Sequence, residues 1–393
     1  MMKLSNRVLE MEESVTLAAS ARAAALKAEG RDILSLTLGE PDFVTPENIQ
    51  KAAIAAIQDG KASFYTAASG LPALKDAISS YMETFYGYAV PRNQVVVATG
   101  AKFILYAAFA TLLNPGDEVI IPTPCWVSYV DQVKMVDAVP VTFQTTEAND
   151  FKATVEQLEA ARTEKTKLIL LNSPSNPTGM IYSREELEAI GAWALEHDIL
   201  ILADDIYGRL VYNGHEFTAI SSLSDALRKQ TIVVNGVSKT YAMTGWRVGF
   251  AVAEPEIIAG MAKIISQTTS NLTAVSQYAA IEALTGDQTS IETMRQAFEE
   301  RLNTIYPLLA EIPGFEVIKP QGAFYLFPNV KKAMEMKGFT DVTDFTNALL
   351  EEAEVALVTG AGFGAPENIR LSYASDMDTL KEAVRRIKAY MEA

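Results

Sequence analysis

Between residues 95 and 253, short runs of β-branched and apolar residues alternate with segments whose apolar residues recur at helical spacing. Several runs are almost wholly apolar, as expected of parallel strands that are covered on both faces. They are Val95–Ala98, Glu118–Pro122, Val139–Phe143, Leu168–Asn172, Ile199–Asp204, Thr231–Gly236 and Val248–Ala253. Between them, Thr154…Gln157 and Ser183…Glu186 fit the capping-box pattern of helix starts. Alternating strands and helices predict a doubly wound α/β domain.

After about residue 285 the pattern changes to that of a smaller α+β domain. Apolar residues spaced by three and four predict a long amphipathic helix, namely Ile291, Met294, Phe298, Leu302 and Ile305. We expect Pro307 to kink or divide this helix and Pro313-Gly314 to end it. Strand-like runs follow at 323–327, 355–358 and 369–373, and a closing helix starts near Asp378.

The N-terminal segment completes the predicted domain organisation. Met11–Glu29 is predicted to be an amphipathic helix, and we expect it to return and pack on the C-terminal part. The division is then a large α/β domain over 46–285 and a small α+β domain made of 1–45 plus 286–393.

Composition narrows the class of partner. The chain has 393 residues, a formal net charge of −16 and a pI near 4.7, which argue against nucleic acid or an anionic membrane surface. No apolar run is long enough to span a membrane, and the charges throughout Met1–Glu13 argue against a secretory signal. The single cysteine, Cys125, suits the reducing cytoplasm, where we expect the protein. Two histidines, His197 and His215, are too few for a multi-histidine site, so we predict no metal.

Polar or aromatic residues follow five of the predicted strands. They are Thr99-Gly100-Ala101-Lys102, Pro124-Cys125-Trp126, the segment 173–179, Asp204 and Lys239. In an open α/β sheet, ligands bind at the carboxyl ends of the strands. Five such strand ends therefore predict one binding site at that edge of the sheet.

Lys239, Arg247 and Asp204 indicate the chemistry of this site. A lone lysine between two strands is usually a solvated turn residue. Here an arginine follows on the same connection and an aspartate ends the preceding strand. The three supply an amine for a Schiff base, a clamp for a phosphate and an anion for a pyridinium nitrogen, which pyridoxal phosphate needs from a protein. An unpaired Asp204 carboxylate would be costly in an apolar strand, and a cationic ring nitrogen would stabilise it.

Other strand-end residues carry weaker signals. Gly100-Ala101-Lys102 opens a predicted helix, and this start fits a bound phosphate and a plain turn equally well. Trp126 fits either stacking on a flat ring or burial in the core. Asn176-Pro-Thr-Gly179 is first of all a turn, and only its neighbours make the amide a candidate donor to a phenolic oxygen. The glycine spacing in 360–364 is not that of a dinucleotide-binding loop and predicts a turn.

These motifs, in this order, resemble those of the fold-type I pyridoxal-phosphate aminotransferases of class I/II. The resemblance is greatest to the bacterial aspartate aminotransferases of the gamma subgroup, which lack the distal arginine of the animal enzymes. It covers nearly the whole chain, through Leu38–Phe43, Asn172–Gly179, Ser238-Lys239, Gly245-Trp246-Arg247 and Arg370–Ala374. It implies an α/β fold with a mostly parallel seven-stranded sheet sandwiched by helices, and a homodimer with shared active sites.

The resemblance also implies a role for each residue around the cofactor. Lys239 forms the Schiff base (the internal aldimine) with pyridoxal phosphate and then moves the proton that transamination transfers. Asp204 pairs with the pyridine nitrogen, Tyr207 and Asn176 pair with the phenolic oxygen, and Trp126 stacks on the ring. The other cofactor-binding residues are Ala101, Lys102, Ser238, Arg247 and, from the neighbouring subunit, Tyr65.

The implied substrate-binding residues recognise two carboxylates. Arg370 binds the α-carboxylate bidentately, helped by the backbone of Gly39, and the cofactor residues Trp126 and Asn176 belong to the same set. Lys102 attracts the distal carboxylate near Thr16. The reaction expected from this resemblance converts L-aspartate and 2-oxoglutarate to oxaloacetate and L-glutamate by a ping-pong mechanism.

Three positions depart from the family pattern. Cys125 stands where relatives carry an aromatic residue, which we expect to change ring packing or pocket size. Leu272 stands where a proline is common, which we expect to loosen a turn near the cofactor. Gly236 stands where some relatives have a phosphate-binding serine, so we expect the phosphate to depend more on Arg247.

Two alternative functions remain open at this point. An aromatic or alanine aminotransferase, or a β-lyase, is possible on the same scaffold, although Lys102 favours a dicarboxylic substrate. Aminotransferase-like domains also serve as ligand sensors in transcription regulators that carry an added DNA-binding domain. We expect no such domain here, because the resemblance accounts for the residues before the α/β core and the chain is acidic.

Overall fold

The computed structural model describes residues 4–9, 11 and 14–393. Its strands are β1 Leu34–Ser35, β2 Val95–Thr99, β3 Glu118–Thr123, β4 Val139–Gln144, β5 Thr166–Asn172, β6 Leu200–Asp204, β7 Thr231–Gly236, β8 Val248–Val252, β9 Tyr325–Leu326, β10 Val355–Ala356, β11 Val358–Thr359 and β12 Ile369–Ser372. Its helices are α1 Asn6–Leu9, α2 Val15–Ala28, α3 Glu47–Gln58, α4 Pro72–Tyr86, α5 Ala101–Leu112, α6 Ser128–Met135, α7 Val155–Ala161, α8 Arg184–Glu196, α9 Asp225–Gln230, α10 Pro255–Thr268, α11 Ala274–Thr285, α12 Thr289–Ala310, α13 Lys331–Lys337, α14 Val342–Glu352 and α15 Met377–Glu392. Among these described residues, no helix is both long and apolar enough to cross a membrane.

Seven strands form one sheet in the order β2-β8-β7-β6-β5-β3-β4, and each coincides with a predicted run to within about two residues at either end. β8 is antiparallel to both β2 and β7, whereas the remaining neighbours are parallel. Because β2 and β7 both oppose β8, they point the same way. The carboxyl ends of β2, β3, β5, β6 and β7 therefore meet at one edge, as predicted.

Helices cover both faces of this sheet, which the apolar strands require. Along β2, Val95 and Val97 pack in a cluster with residues of α4 and α11, whereas Val96 and Ala98 pack with residues of α5 and α10. All four side chains are fully buried. Both predicted capping boxes are present, at the starts of α7 and α8. The α/β prediction, with a mostly parallel seven-stranded sheet between helices, is confirmed.

The C-terminal part has the α+β pattern. β11, β12 and β9 form an antiparallel sheet, and β1 pairs in parallel with β10. The apolar residues that predicted the long helix are all buried on α12. The expectation that Pro307 could divide this helix is wrong, since α12 runs through it to Ala310. Pro307 lies in the last turn, where the missing N–H removes one bond near an end that frays anyway.

The N-terminal helix returns to this C-terminal part, as expected. Ala23 and Leu26 of α2 pack against Leu350 and Ala356, and Arg22 forms an ion pair with Glu351 at 2.7 Å. The helix begins later than the predicted Met11, because its N-cap residue, Ser14, has an extended backbone. Residues 12 and 13 of the predicted helix lie outside the described residues. The domain boundaries near residues 45 and 285 stay a prediction.

Candidate active site

A cavity of about 320 Å³ lies where the carboxyl ends of the parallel strands meet. Apart from Tyr65, every residue singled out by the sequence as a site residue contributes to its lining. These are Thr16, Gly39, Ala101, Lys102, Trp126, Asn176, Asp204, Tyr207, Ser238, Lys239, Arg247 and Arg370. The lining also contains residues that were not predicted as site residues, namely Ser14, Leu17, Leu38, Glu40, Tyr129, Asn172, Ile206, Thr244 and Tyr325.

Lys239 follows β7 on the connection to β8, and its Nζ donates a hydrogen bond to the backbone carbonyl of Gly39. Burial of the amine lowers the pKa of Lys239 from 10.5 to about 8. Glu40 raises this pKa, whereas Arg247 and Arg370 lower it further. A lysine in such surroundings has a larger neutral, nucleophilic fraction near neutral pH than an exposed one.

Asp204 ends β6 and is only 3% exposed. Its carboxylate accepts hydrogen bonds from the Tyr129 hydroxyl at 2.7 Å and from the Ile206 amide at 3.3 Å. Burial raises the pKa of Asp204 from 3.8 to about 6, although the Tyr129 bond acts in the opposite direction. Among the described residues the carboxylate has no cationic hydrogen-bond partner, so a cation placed beside it would stabilise its charged form. The Asn172 side chain fixes the end of the strand by donating to the Asp204 carbonyl at 2.8 Å.

Arg370, on β12, is 1% exposed and lies between aromatic rings. Its Cζ atom is 4.6 Å from the ring centre of Tyr325 and 5.0 Å from that of Phe363. Nη2 donates to the Thr37 carbonyl at 2.8 Å, and Nη1 donates to Asn176 Oδ1 at 3.0 Å. Nε is buried and has no hydrogen-bond partner in the described structure. Burial lowers the pKa of Arg370, and a bound carboxylate would relieve this cost.

The Asn176 contact refines its predicted role. Its side-chain oxygen is used by Arg370, and its backbone N–H donates to Asn172 Oδ1 at 2.8 Å. The Nδ2 group therefore remains as the donor available to a ligand oxygen. Close by, the hydroxyl groups of Tyr207 and Tyr325 are hydrogen-bonded at 2.8 Å. Both tyrosines are buried, and burial raises the pKa of Tyr207 well above 10.

The start of α5 and Arg247 lie together at another side of the cavity. Gly100 caps the helix with φ 83°, and a Cβ atom there would lie 2.3 Å from Arg247 Nη2. Glycine is favoured here by the torsion, and a larger residue would also displace the Arg247 guanidinium. Arg247 itself has φ 56°, is exposed, and donates through Nη1 to the Thr244 carbonyl at 2.9 Å. Free backbone N–H groups at the helix start beside a guanidinium form a site suited to a phosphate.

Lys102 and Thr16 lie at the opening of the cavity. Lys102 is exposed, and its Nζ is 4.8 Å from the centre of the Trp126 ring. Partial desolvation lowers the pKa of Lys102, and Arg247 lowers it further. The half-buried Thr16 has a buried hydroxyl without a hydrogen-bond partner in the described structure. Tyr65 is not brought to this cavity, since it is 91% exposed on a separate loop.

The structure shows the surroundings of Cys125, Gly236 and Leu272, the three positions that depart from the family pattern. Cys125 is buried next to the cavity rather than in its lining, and desolvation raises the pKa of its thiol to about 12. A Cβ atom at Gly236 would lie 2.6 Å from the Val248 carbonyl, so the close β7–β8 pairing leaves no room for a serine. Leu272 is fully buried, and its carbonyl accepts hydrogen bonds from Asn271 and Gln277. These bonds hold the turn without a proline.

Tyr129 and Tyr325 are the main site residues that the sequence did not reveal. Tyr129 lies three positions after Trp126 on the first turn of α6, so its place beside a strand-end tryptophan was a usable signal. Tyr325 lies in an apolar run 118 residues after Tyr207, where nothing distinguished it from a core tyrosine.

This arrangement fits the cofactor that the resemblance implies. The buried Asp204 carboxylate suits a cationic ring nitrogen, and the Gly100 cradle with Arg247 suits a phosphate. Lys239 supplies a partly desolvated amine between them, and the unpaired Arg370 Nε suits a substrate carboxylate. The residues that line the cavity thus match each chemical group of pyridoxal phosphate and of an amino acid.

Comparison with known proteins agrees with this chemistry. The family model described as aminotransferase class I and II matches residues 31–387. An asparagine–oxo-acid transaminase of Streptococcus mutans is 75% identical over 100% of both chains, and an aspartate aminotransferase of Bacillus subtilis is 51% identical over 100% of this chain and 99% of its own. Among solved structures, an aspartate aminotransferase of Rhizobium meliloti superposes with a TM-score of 0.95 at 40% identity, covering 100% of this chain and 99% of the other. The chain therefore belongs to the class I and II aminotransferases, enzymes that use pyridoxal phosphate.

Proposed function

We propose that the protein transaminates L-aspartate with 2-oxoglutarate, giving oxaloacetate and L-glutamate by a ping-pong mechanism. The observation that carries this proposal is that the cavity lining has two cationic side chains, Arg370 and Lys102, in addition to Lys239 and Arg247. Arg370 is buried against Asn176 and Tyr325, and Lys102 lies exposed over Trp126. A dicarboxylic amino acid presents one carboxylate to each of them. The name of the Bacillus subtilis relative supports the same substrate.

When bound, pyridoxal phosphate supplies a reactive aldehyde and a protonated ring that accepts electron density from the substrate Cα. In our proposal, Asp204 keeps the ring nitrogen protonated, and Tyr129 and Ile206 hold the carboxylate in place. Tyr207 and Asn176 donate to the phenolic oxygen. Trp126 stacks on the ring.

The phosphate is held in this proposal by the start of α5 and by Arg247. The residues assigned to it are Ala101 and Lys102, through their backbone groups, together with Ser238 and Arg247. The side chain of Ser238 is buried beside Lys239, where a hydroxyl can donate to a phosphate oxygen. A serine does not fit in place of Gly236, so this position offers no hydroxyl to the phosphate. Arg247 therefore supplies the main charge that binds the phosphate.

Lys239 is the proposed acid–base group of the reaction. Its amine donates a hydrogen bond to the Gly39 carbonyl, and burial lowers its pKa to about 8. It can therefore accept a proton from the substrate Cα near neutral pH. With the cofactor bound, the protonated Lys239 amine would be the group that returns this proton. Arg370 orients the α-carboxylate, the Gly39 backbone borders it, and Lys102 with Thr16 binds the distal group.

L-asparagine is a second candidate donor, because the relative that is 75% identical is named an asparagine–oxo-acid transaminase. An amide oxygen can accept a hydrogen bond from the Lys102 ammonium as a carboxylate does, though without the opposite charge. The unpaired Thr16 hydroxyl could accept from the amide nitrogen. The two donors therefore compete for the same residues, and their relative use depends on the charge of the distal group.

A donor panel with mass spectrometric detection of products separates these candidates. L-aspartate must yield oxaloacetate, and L-asparagine must yield the corresponding 2-oxo acid amide, each with 2-oxoglutarate as acceptor. We expect kcat/KM for aspartate or asparagine to exceed that for alanine and phenylalanine by about tenfold, the scale of one contact with the exposed Lys102 ammonium. Equal use of alanine or phenylalanine would overturn the substrate proposal. The Lys239→Ala protein serves as the blank.

We also propose a cytoplasmic homodimer in which Tyr65 completes the phosphate site of the partner subunit. Tyr65 and the neighbouring Phe64 are 91% and 77% exposed, and Val44 is 81% exposed. Such apolar exposure is typical of a surface that another chain covers. Mixing inactive Lys239→Ala with a Tyr65→Ala variant that has lost activity should restore part of the activity, because one site of the mixed dimer then contains both native residues. A stable, fully active monomer in light scattering would contradict the shared site.

A further inference from the structure

Tyr325 brings a side chain from the C-terminal sheet into the cofactor end of the cavity. It is the first residue of β9, has no exposed surface, and lines the cavity. Its hydroxyl is 2.8 Å from that of Tyr207, which lies after β6 of the seven-stranded sheet. The two tyrosines are 118 residues apart in sequence. This hydrogen bond therefore joins the two sheets at the proposed site.

The Tyr325 hydroxyl has little freedom to move away from Tyr207. A Cβ atom added at Gly39 would lie 2.5 Å from this hydroxyl oxygen, so the glycine backbone packs directly against it. The carbonyl of the same glycine accepts the hydrogen bond from Lys239 Nζ. The hydroxyl is thus confined between Tyr207 and the backbone that contacts the lysine.

The ring of Tyr325 has a second neighbour, the guanidinium of Arg370. β12 and β9 pair so that Ser372 is opposite Tyr325, which places Arg370 on the same face as a diagonal neighbour. The Arg370 Cζ atom is 4.6 Å from the Tyr325 ring centre, and Phe363 lies 5.0 Å away as a second ring contact. A guanidinium held by rings keeps its N–H groups in a fixed plane.

We propose that Tyr325 is a positioning residue for transamination, with two separable roles. Its ring orients Arg370 for the substrate α-carboxylate, and its hydroxyl donates to Tyr207 and strengthens the bond from Tyr207 to the cofactor phenolic oxygen. The Tyr325 side chain thereby links recognition of the substrate to the electronic state of the cofactor ring. The inference rests on the roles proposed above for Arg370 and Tyr207.

The direction of the hydrogen bond follows from the number of protons. Tyr207 has one hydroxyl proton, and if it donates this proton to the cofactor, its oxygen must accept from Tyr325. A donor that is itself an acceptor forms a stronger bond, by roughly 10–30%. The charged groups near this pair are Arg370 and Asp204, and both remain in a variant that lacks only the Tyr325 hydroxyl.

Tyr325→Phe tests the hydroxyl, with the pH titration of the visible cofactor spectrum as the readout. Tyr207→Phe should raise the pH midpoint by roughly one unit, because a hydrogen bond to an anionic oxygen is lost. Tyr325→Phe should raise it in the same direction by roughly a third of a unit. The ring is kept, so KM for aspartate should stay within about twofold of that of the wild type.

A double-mutant cycle decides whether the effect passes through Tyr207. In the Tyr207→Phe background, Tyr325→Phe should cause no further shift of the midpoint. Tyr373→Phe is the matched control, since that buried hydroxyl also donates a hydrogen bond, to the Ala323 carbonyl at 3.2 Å, but lies outside the cavity. It should lower thermal stability without moving the midpoint.

Each outcome of the titration is decisive. A shift for Tyr207→Phe without one for Tyr325→Phe overturns the hydroxyl role, as does an additive shift in the double variant. No shift for Tyr207→Phe overturns the role proposed for Tyr207, and the inference with it. Loss of aminotransferase activity by the wild type on every donor would instead contradict the proposed function.

Tyr325→Leu tests the ring. Relative to Tyr325→Phe, it should raise KM for aspartate and alanine alike, by roughly tenfold, because Arg370 loses its platform. Circular dichroism and a melting curve establish that the variant is folded. The Kd for the cofactor should change by a smaller factor than KM for aspartate does. Equal KM values for Tyr325→Phe and Tyr325→Leu would overturn the orienting role of the ring.

Discussion

Two parts of the active-site cavity are built in opposite ways. An inner wall, which we define as Asp204, Tyr207, Tyr325 and Arg370, is at most 3% exposed, and each side chain has a hydrogen-bond partner within the fold. A rim, defined as Lys102 and Arg247, is exposed. On the rim, Lys102 lies over a ring and Arg247 bonds one carbonyl.

This difference in burial corresponds to a difference in the substrate groups that are bound. Some of these groups are common to all amino acids, and others differ between them. Every amino acid presents an α-amino group and an α-carboxylate, so groups that bind them can be fixed in advance, without later reorganisation. The distal group varies from one substrate to another. A long side chain on an exposed rim can adjust to it, at the cost of weaker, solvent-screened interactions. The comparison predicts large, uniform effects from the inner wall and a small, selective effect from Lys102 on the rim, whereas Arg247 is assigned to the phosphate and serves every substrate alike.

The largest effect is expected from the amine that lies between the two parts. Lys239→Ala should reduce kcat by roughly a millionfold, the scale seen when a group that performs the chemistry is removed. Borohydride treatment of the wild type should fix the cofactor on this residue, as mapped by peptide mass spectrometry. Lys263→Ala, at an exposed lysine of α10, is the matched control and should retain activity. A fixed adduct on another lysine would refute the assignment.

Substitution in the inner wall should weaken all substrates equally. Arg370→Leu should reduce kcat/KM by roughly 100-fold or more, which corresponds to about 3–5 kcal/mol for loss of a buried charged partner. The reduction should be the same for aspartate and for alanine, because both present the α-carboxylate. Steady-state kinetics with the two donors measures it. A loss confined to aspartate would place Arg370 at the distal group and reverse the comparison.

Substitution in the rim should be selective and smaller. Lys102→Ala should reduce kcat/KM for aspartate by roughly tenfold, or about 1.4 kcal/mol, because the ammonium is exposed and screened. Alanine and phenylalanine should be unaffected once cofactor occupancy is checked from absorbance. Lys134→Ala, an exposed lysine on α6 outside the cavity lining, is the matched control. An equal loss for every donor would remove the basis for a dicarboxylic preference.

The smallest expected effect concerns the stability of the cofactor-free protein. The pKa of Asp204 is about 6 when folded and 3.8 in the reference state, so between these values the folded state holds the proton and the unfolded state does not. Stability from this group therefore falls as pH rises, by about 1 kcal/mol between pH 5 and pH 7. Urea unfolding of the apoprotein should show this fall, and in Asp204→Asn the fall should be smaller by about 1 kcal/mol, since the neighbouring buried Asp205, whose pKa is also raised by burial, remains. A parallel fall in both proteins would exclude Asp204 as its source.

The sequence was informative wherever a pattern was local. Strand ends such as Asp204 and the start of α5 followed from hydrophobic runs and from capping residues. Asn176 was harder, since its amide was predicted as a donor, whereas the structure shows its oxygen bound to Arg370, 194 residues away. Tyr325 carried no signal at all, because a tyrosine in an apolar run is normally a core residue.

The sequence by itself determined the alternation of strands and helices, the side of the sheet where polar residues collect, and the lysine, aspartate and arginine suited to pyridoxal phosphate. These follow from periodicity and from residue chemistry, which are properties of neighbouring positions. Only the tertiary structure decided which partners surround them. It placed Tyr325 between Tyr207 and Arg370, Gly39 against Lys239, and Tyr65 away from its own cavity. Such contacts join residues far apart in the chain, and the packing of the two sheets fixes them, because buried polar groups must find partners wherever the fold brings them.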